Sequence, residues 1–206
     1  MAWNTEETRR RLKGAAAEEF SEHGLAGARV DRIARRAGVN KERLYGHFGN
    51  KEQLFAMVLR DELALIAAAV PMQFLEEEDV GEFAGRIFDY HASHPHLARL
   101  LHWEALAYGA AEVPDEDVRG AYYREKVEAF AAGQRAGLLA EGPDAAHLVF
   151  LILSLAAWWF AVPQVVRMLR GATDDLEQER ALQRVAVVEA ARRLALPSAT
   201  GPGKRS

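Results

Sequence analysis

The sequence predicts an all-α protein, and three observations carry that expectation. Apolar residues recur at helical spacing along the chain, no stretch of any length shows the two-residue alternation of a strand, and glycine and proline punctuate the pattern at helix-length intervals. The 206 residues are 50% hydrophobic and 27% charged, the composition of a folded chain with one sizeable core or two small ones.

The first helix is expected from about Glu6 to Glu22, with Leu12, Ala16 and Phe20 on one face and Gly24 as its stop. A short helix follows over Val30 to Ala37, burying Val30, Ile33, Ala34 and Ala37 and ending at Gly38. Asn40 has N-cap chemistry for a third helix, about Lys41 to Phe48. Asn50 with Gln53 three positions on is a capping box for a fourth, which carries Leu54, Phe55, Val58, Leu59 and Ile66 and ends near Pro71.

Larger helices are expected beyond this point. One covers Asp79 to Ser93 with Phe83, Ile87 and Tyr90 inward, and another runs from Pro95 to about Tyr108. "VPDEDV" opens a long helix that stops at Gly137. "EGPD" opens an apolar segment bent near Pro163. The last helix spans about Asp175 to Leu196, with Leu182, Val185, Val188 and Leu194 as its apolar side. That makes about nine helices, in domains at 6–66 and 67–196, with 197–206 as a mobile tail.

Charge is unevenly placed. Residues 1–51 hold eleven Lys/Arg against seven Asp/Glu, a net of +4, whereas the remainder holds fifteen against twenty-three, a net of −8. A basic amino-terminal quarter on an acidic body points to a polyanionic partner for the first part. Cysteine is absent, which excludes thiol chemistry and a disulfide scaffold and fits a cytoplasmic location. The chain's start lacks the apolar core of a secretory signal. Residues 145–166 carry no formal charge over a length that could span a bilayer. Their His147, Ser154, Pro163 and Gln164, and the lack of a second such segment, favour a buried helix and no membrane.

The stretch "AGVNKERLYGHFGNKEQLF" (37–55) places two short helices around a glycine turn, a helix-turn-helix arrangement whose second helix enters the DNA major groove. At 100° per residue Leu44 and Phe48 share the inward face, Lys41 and Tyr45 form one flank, and Arg43 and His47 the other. Glu42 and Gly46 lie on the outermost ridge. Arg43 can pair with guanine O6 and N7, and His47 can reach a base edge or a phosphate. Lys41, Tyr45 and Lys51 suit phosphate oxygens, and the free amides at the start of the fourth helix add an anion site. Gly46 lets the backbone approach the groove. Glu42 either accepts from cytosine N4 or is solvated.

At these residues the chain resembles the DNA-binding domain of TetR-family transcriptional regulators. The resemblance is carried by "VDRIARRAGVNKERLYGHFGNKEQLF" (30–55), through Ile33-Ala34, Ala37-Gly38-Val39, Leu44-Tyr45, His47-Phe48 and Lys51 with Leu54. It implies a homodimeric repressor that binds a double-stranded DNA operator, pairs through the helices at about 144–170 and 175–196, and encloses a small-molecule effector among its middle helices. The DNA-binding residues it implies are Arg29, Asn40, Lys41, Glu42, Arg43, Tyr45, His47 and Lys51. Two departures stand out. The family's hydroxyl before the second helix, which caps it and touches phosphate, is replaced by Ala28 and Arg29. Glu42 and Arg43 occupy positions that are commonly small, which implies a distinct operator.

Phe88, Trp103, Tyr108, Phe150, Trp158 and Trp159 are the candidate pocket aromatics, although aromatics at this spacing are more often core. His91, His94, His96 and His102 lack well-spaced acidic ligands, so no metal is expected. No nucleophile elbow, phosphate loop or HExxH occurs, so neither catalysis nor a cofactor is expected. The alternatives are a helical ligand carrier or enzyme without DNA binding, and a membrane-associated protein built on residues 145–166.

Overall fold

A computed structural model describes residues 5–72, 79–171 and 175–196, apart from the side chains of Thr5, His47 and Asp79. The described residues form ten α-helices and no strand: α1 (Thr5–Gly27), α2 (Val30–Ala37), α3 (Lys41–Phe48), α4 (Lys51–Ala69), α5 (Asp79–Ser93), α6 (Pro95–Tyr108), α7 (Glu116–Arg135), α8 (Ala145–Ala161), α9 (Pro163–Arg170) and α10 (Leu176–Ala195). The expected tail, 197–206, lies outside the described residues.

Two boundaries differ from expectation, and the stop at Gly137 does not. Helix α1 does not stop at Gly24 but breaks there, at φ 66° and ψ 179°, and resumes to Gly27. The indole of Trp103 lies over the break, and a Cβ on Gly24 would come within 2.6 Å of its Cε3. The apolar segment is two helices rather than one bent helix, because Pro163 starts a new helix after Val162 leaves helical geometry. The long helix ending at Arg135 gives way to a turn in which Gly137 takes φ 74°.

The chain gathers into two compact units, Met1–Leu65 with His94–Arg119, and Ile66–Ser93 with Gly120–Ser206. In the first, α6 packs on α1. Arg99 Nε and Trp103 Nε1 both donate to the Ser21 carbonyl, at 2.9 and 3.1 Å. Phe20 and Phe55 meet edge to face at 5.1 Å and are buried with Leu12, Ile33, Leu44, Leu54 and Leu59. Glu104 and Arg119 form a buried two-bond ion pair, at 2.6 and 2.7 Å, between α6 and the start of α7.

In the second unit α10 packs on α5 and α8, and α5 on α8. The α5–α10 approach is close because Gly81 and Gly85 lack side chains. A Cβ at Gly81 would lie 2.7 Å from Arg192 Cγ, and one at Gly85 2.9 Å from Val188 Cγ2. Arg184 bridges to Asp89 at 2.8 Å beside this seam. Phe83 meets Phe130 of α7, and Phe88 meets Phe160 of α8.

The expected apolar side of α10 is corrected. Its buried face is Val187, Val188, Ala191 and Ala195, whereas Leu182, Val185 and Leu194 are exposed. Helix α8 behaves likewise: Ala145, Leu148, Val149, Ile152 and Ala156 are buried, while Phe150, Leu151 and Trp158 face outward. No single described helix is long and apolar enough to cross a membrane, and α8 with α9 reaches that length only across an 83° bend.

Candidate nucleic-acid interface

The interface is assembled from short helices whose ends are fixed by their own residues. Helix α2 buries Val30, Ile33, Ala34 and Ala37, a stripe that ends at Gly38. Gly38 sits at φ 69°, ψ 34°, a left-handed geometry that side chains with a Cβ resist. Val39 N–H then reaches the Ala34 carbonyl at 3.0 Å, and Gly38 N–H the Arg35 carbonyl at 3.2 Å, a Schellman closure that turns the chain sharply into α3.

Asn40 caps α3, its Oδ1 accepting from the Arg43 N–H at 2.9 Å. Asn50 and Gln53 cap α4 reciprocally, at 3.0 and 2.8 Å. Each bond satisfies a backbone donor that the helix start would leave unmet. Between these caps α3 turns as its spacing requires. Leu44 is fully buried and Phe48 nearly so, whereas Lys41, Glu42, Arg43, Tyr45 and Gly46 are exposed. A Cβ on Gly46 would meet nothing within 4 Å, so no packing within the chain demands glycine there. The side chain of His47 lies outside the described residues.

The other site residues are partly engaged within the protein. Lys41 Nζ pairs with Asp31 at 3.0 Å and lies over the Tyr45 ring, 5.9 Å from its centroid. The hydrogen bond that Lys41 donates to Asp31 raises the Lys41 pKa, keeping that cation charged at the α2–α3 seam. Lys51, expected only at phosphate, is half-buried, with Nζ 3.4 Å from the carbonyls of Ala26 and Ala28. Arg29 is exposed and holds the N-cap position of α2 with no side-chain cap.

Sequence reasoning missed Glu19. It is 2% exposed, and its Oε1 accepts from the Arg29 N–H at 2.8 Å and from Arg32 Nε at 2.7 Å. Burial pushes this carboxyl up, but the bonds from Arg32 and the Arg29 N–H, with the guanidinium charge, outweigh it and hold the pKa below the ordinary carboxylate value. The one sequence signal was the missing hydroxyl at positions 28 and 29. Arg36 pairs with Glu18 at 2.8 Å on the same α1–α2 seam.

The aromatic candidates fall in different places. Trp103 and Tyr108 belong to the first unit, Phe88, Phe150, Trp158 and Trp159 to the second. Phe88 is buried core, Trp103, Tyr108 and Trp159 are half-buried, and Phe150 and Trp158 are 69% and 58% exposed. None of the six lines the cavity of about 510 Å³ between α1 and α4, which Lys13, Val58 and Leu65 help to form. Among the described residues no group of three metal-ligating side chains occurs. His96 instead pairs with Glu62 at 2.8 Å, and His91 stacks on Phe160.

This geometry has relatives. Residues 14–58 match the family described as bacterial regulatory proteins, tetR family, and residues 79–193 match the tetracyclin repressor-like C-terminal domain. The chain is 43% identical over 173 residues to the HTH-type transcriptional repressor SCO4008 of Streptomyces coelicolor, covering 84% of this chain and 88% of that one. It is 30% identical to the HTH-type transcriptional repressor NicS of Pseudomonas putida, over 77% of this chain and 78% of that one. The crystal structure of a putative transcriptional regulator, SCO4942 of Streptomyces coelicolor, superposes with a TM-score of 0.77 at 33% identity, covering 91% of this chain and 98% of the other. An exposed polar recognition face on a buried Leu44–Phe48 seam, with family matches across both halves, leads to one conclusion: the chain belongs to the TetR family and is a helix-turn-helix DNA-binding transcriptional regulator, not an enzyme.

Proposed function

We propose that the protein is a cytoplasmic homodimeric repressor that binds a palindromic operator and leaves it when a small effector binds. The observation that carries this reading is the division of α3, with Leu44 and Phe48 inside and Lys41, Glu42, Arg43 and Tyr45 outside. Two such helices related by a two-fold axis would enter successive major grooves about 34–36 Å apart. Arg43 reads guanine and Glu42 faces the same base steps, with His47 beside them. Arg29, Lys41, Tyr45 and Lys51 set the register on phosphates, and Asn40 holds the start of the helix.

The exposed apolar faces of α8 and α10 support the dimer. Phe150, Leu151 and Trp158 on α8 and Leu182, Val185 and Leu194 on α10 are all exposed, and large apolar side chains in the open on two helices that pack together suit a protein contact. Phe150 and Trp158 are thereby assigned to the subunit contact. Phe88, Trp103, Tyr108 and Trp159 remain the aromatic candidates for the effector. An effector that binds one dimer spacing better than the other shifts DNA occupancy by that difference alone.

The test is fluorescence anisotropy on the DNA upstream of the protein's own gene against a random duplex. Arg43→Ala should cost about 1–3 kcal/mol on the operator and little on random DNA. Equal losses on both would remove Arg43 from the reading face, and salt-insensitive binding by the parent protein would end the repressor reading.

A further inference from the structure

The α1–α2 junction lacks the hydroxyl cap, yet it is tied down from three sides. Ala28 is buried and has no polar side chain, and Arg29 makes no side-chain cap bond. From α1, the Glu19 carboxylate takes the Arg29 N–H. From α2, Arg32 Nε reaches the same oxygen, and its Nη2 donates to the Gly27 carbonyl at 3.2 Å. From α4, Lys51 Nζ lies 3.4 Å from the carbonyls of Ala26 and Ala28.

A buried carboxylate is a poor choice for stability alone, since replacing a whole buried ion pair by well-packed apolar side chains is often neutral or stabilising. Its geometry, however, does something an apolar side chain cannot. It accepts the backbone donor of the N-cap residue from outside the helix, the bond that a capping-box glutamate would make from within. It also places negative charge at the positive end of α2. The junction therefore gains a fixed direction as well as a fill.

We infer, on the premise that this face binds DNA, that Glu19 is a positioning residue: from within α1 it makes the capping-box bond to the Arg29 N–H and so sets the start of α2, which has no hydroxyl cap, with Arg29 and the first amides against a phosphate. Arg32 and Lys51 complete the clamp by holding the carbonyls on either side. Glu19 itself touches no DNA, because it is buried.

The experiment is a double-mutant cycle on the full-length protein, with anisotropy on operator and random duplexes over a salt series and thermal unfolding in parallel. Glu19→Leu should lower the unfolding midpoint and, measured well below that midpoint, weaken both DNAs about five- to tenfold and lower the salt slope by about one. Arg29→Ser fixes the same helix start through a different bond, its hydroxyl accepting from the Arg32 N–H, and removes the cation being positioned, so in that background Glu19→Leu should cost little. Glu19→Gln still accepts the Arg29 N–H and should bind within about threefold of the parent. The inference falls if Glu19→Leu binds as the parent does, if its loss is equal with and without Arg29→Ser, or if Glu19→Gln loses as much as Glu19→Leu. Should Glu19→Leu fail to fold, Glu19→Met, which also lacks the acceptor and keeps the unbranched shape of Glu and Gln, takes its place in every comparison. A parent protein without salt-sensitive DNA binding would remove the premise too, which sets that failure apart from failure of the Glu19 role alone.

Discussion

In the first unit the short helices α2 and α3 hide their aliphatic residues: Val30, Ile33 and Leu44 are inside, and the side chains described outside are charged or polar, Tyr45 among them. In the second, α8 and α10 each bury one apolar face and leave another in the open, with Val185 65% and Phe150 69% exposed. The first pattern suits a surface that meets a hydrated polyanion, where charge makes the contact and apolar residues serve only the core. The second suits a surface completed by more protein, because permanent subunit interfaces resemble a core cut in half. One chain thus carries two surfaces with opposite chemistry, and each can be broken separately.

The largest effect should come from the hidden side of the first unit. Leu44→Ala opens a cavity under the recognition helix and should cost about 2–5 kcal/mol of stability, read from chemical denaturation, with operator binding lost alongside. Next in size is the open side of the second unit. Val185→Glu combined with Phe150→Glu should weaken the dimer by about 2 kcal/mol or more, roughly 30-fold, in sedimentation equilibrium while helical content holds. A dimer that survives this pair would mean that these faces are not the contact.

A smaller effect separates folding from recognition at Gly46. Nothing lies within 4 Å of a Cβ there, and glycine is a poor helix former, so Gly46→Ala should stabilise the fold by about 0.4–1 kcal/mol. If the backbone of α3 approaches the bases, the same change should weaken operator binding. A gain in both would argue that the groove does not crowd this position.

The smallest effect concerns pH. The hydrogen bond that His96 donates to Glu62 raises the His96 pKa against the opposing pull of burial. The stabilisation this pair gives is therefore complete below the unfolded-state value, about 6.5, and fades as pH rises through the higher folded-state value. For a partly exposed pair the amount is about 0.2–1 kcal/mol. His96→Gln should flatten the melting temperature across that range. An unchanged profile would show the pair contributes nothing.

The polarity contrast also explains what could be read in advance. Helices α2, α3, α5 and α6 lie where period and punctuation placed them, because each has one apolar side and a capping or breaking residue at its ends. The caps at Asn40, Asn50 and Gln53 were legible for the same local reason. The faces of α8 and α10 were not, since a helix apolar on two sides has no phase that tells inside from outside. Glu19 was hidden for another reason. Its partners stand ten and thirteen residues away on a different helix, and only the fold brings them within hydrogen-bonding distance. Gly24 was recognised as a special position, but the tight seat of Trp103 against it belongs to a contact 79 positions along the chain.

That seat has a practical corollary. Trp103 rests half-buried over the kink in α1, whereas Trp158 stands in solvent on α8. The protein is thus supplied with two native optical reporters in unlike surroundings. Subunit assembly should shift emission from Trp158 to shorter wavelength, and a spectrum of Trp103 alone, with the other indoles replaced by Phe, would monitor the kink without any dye.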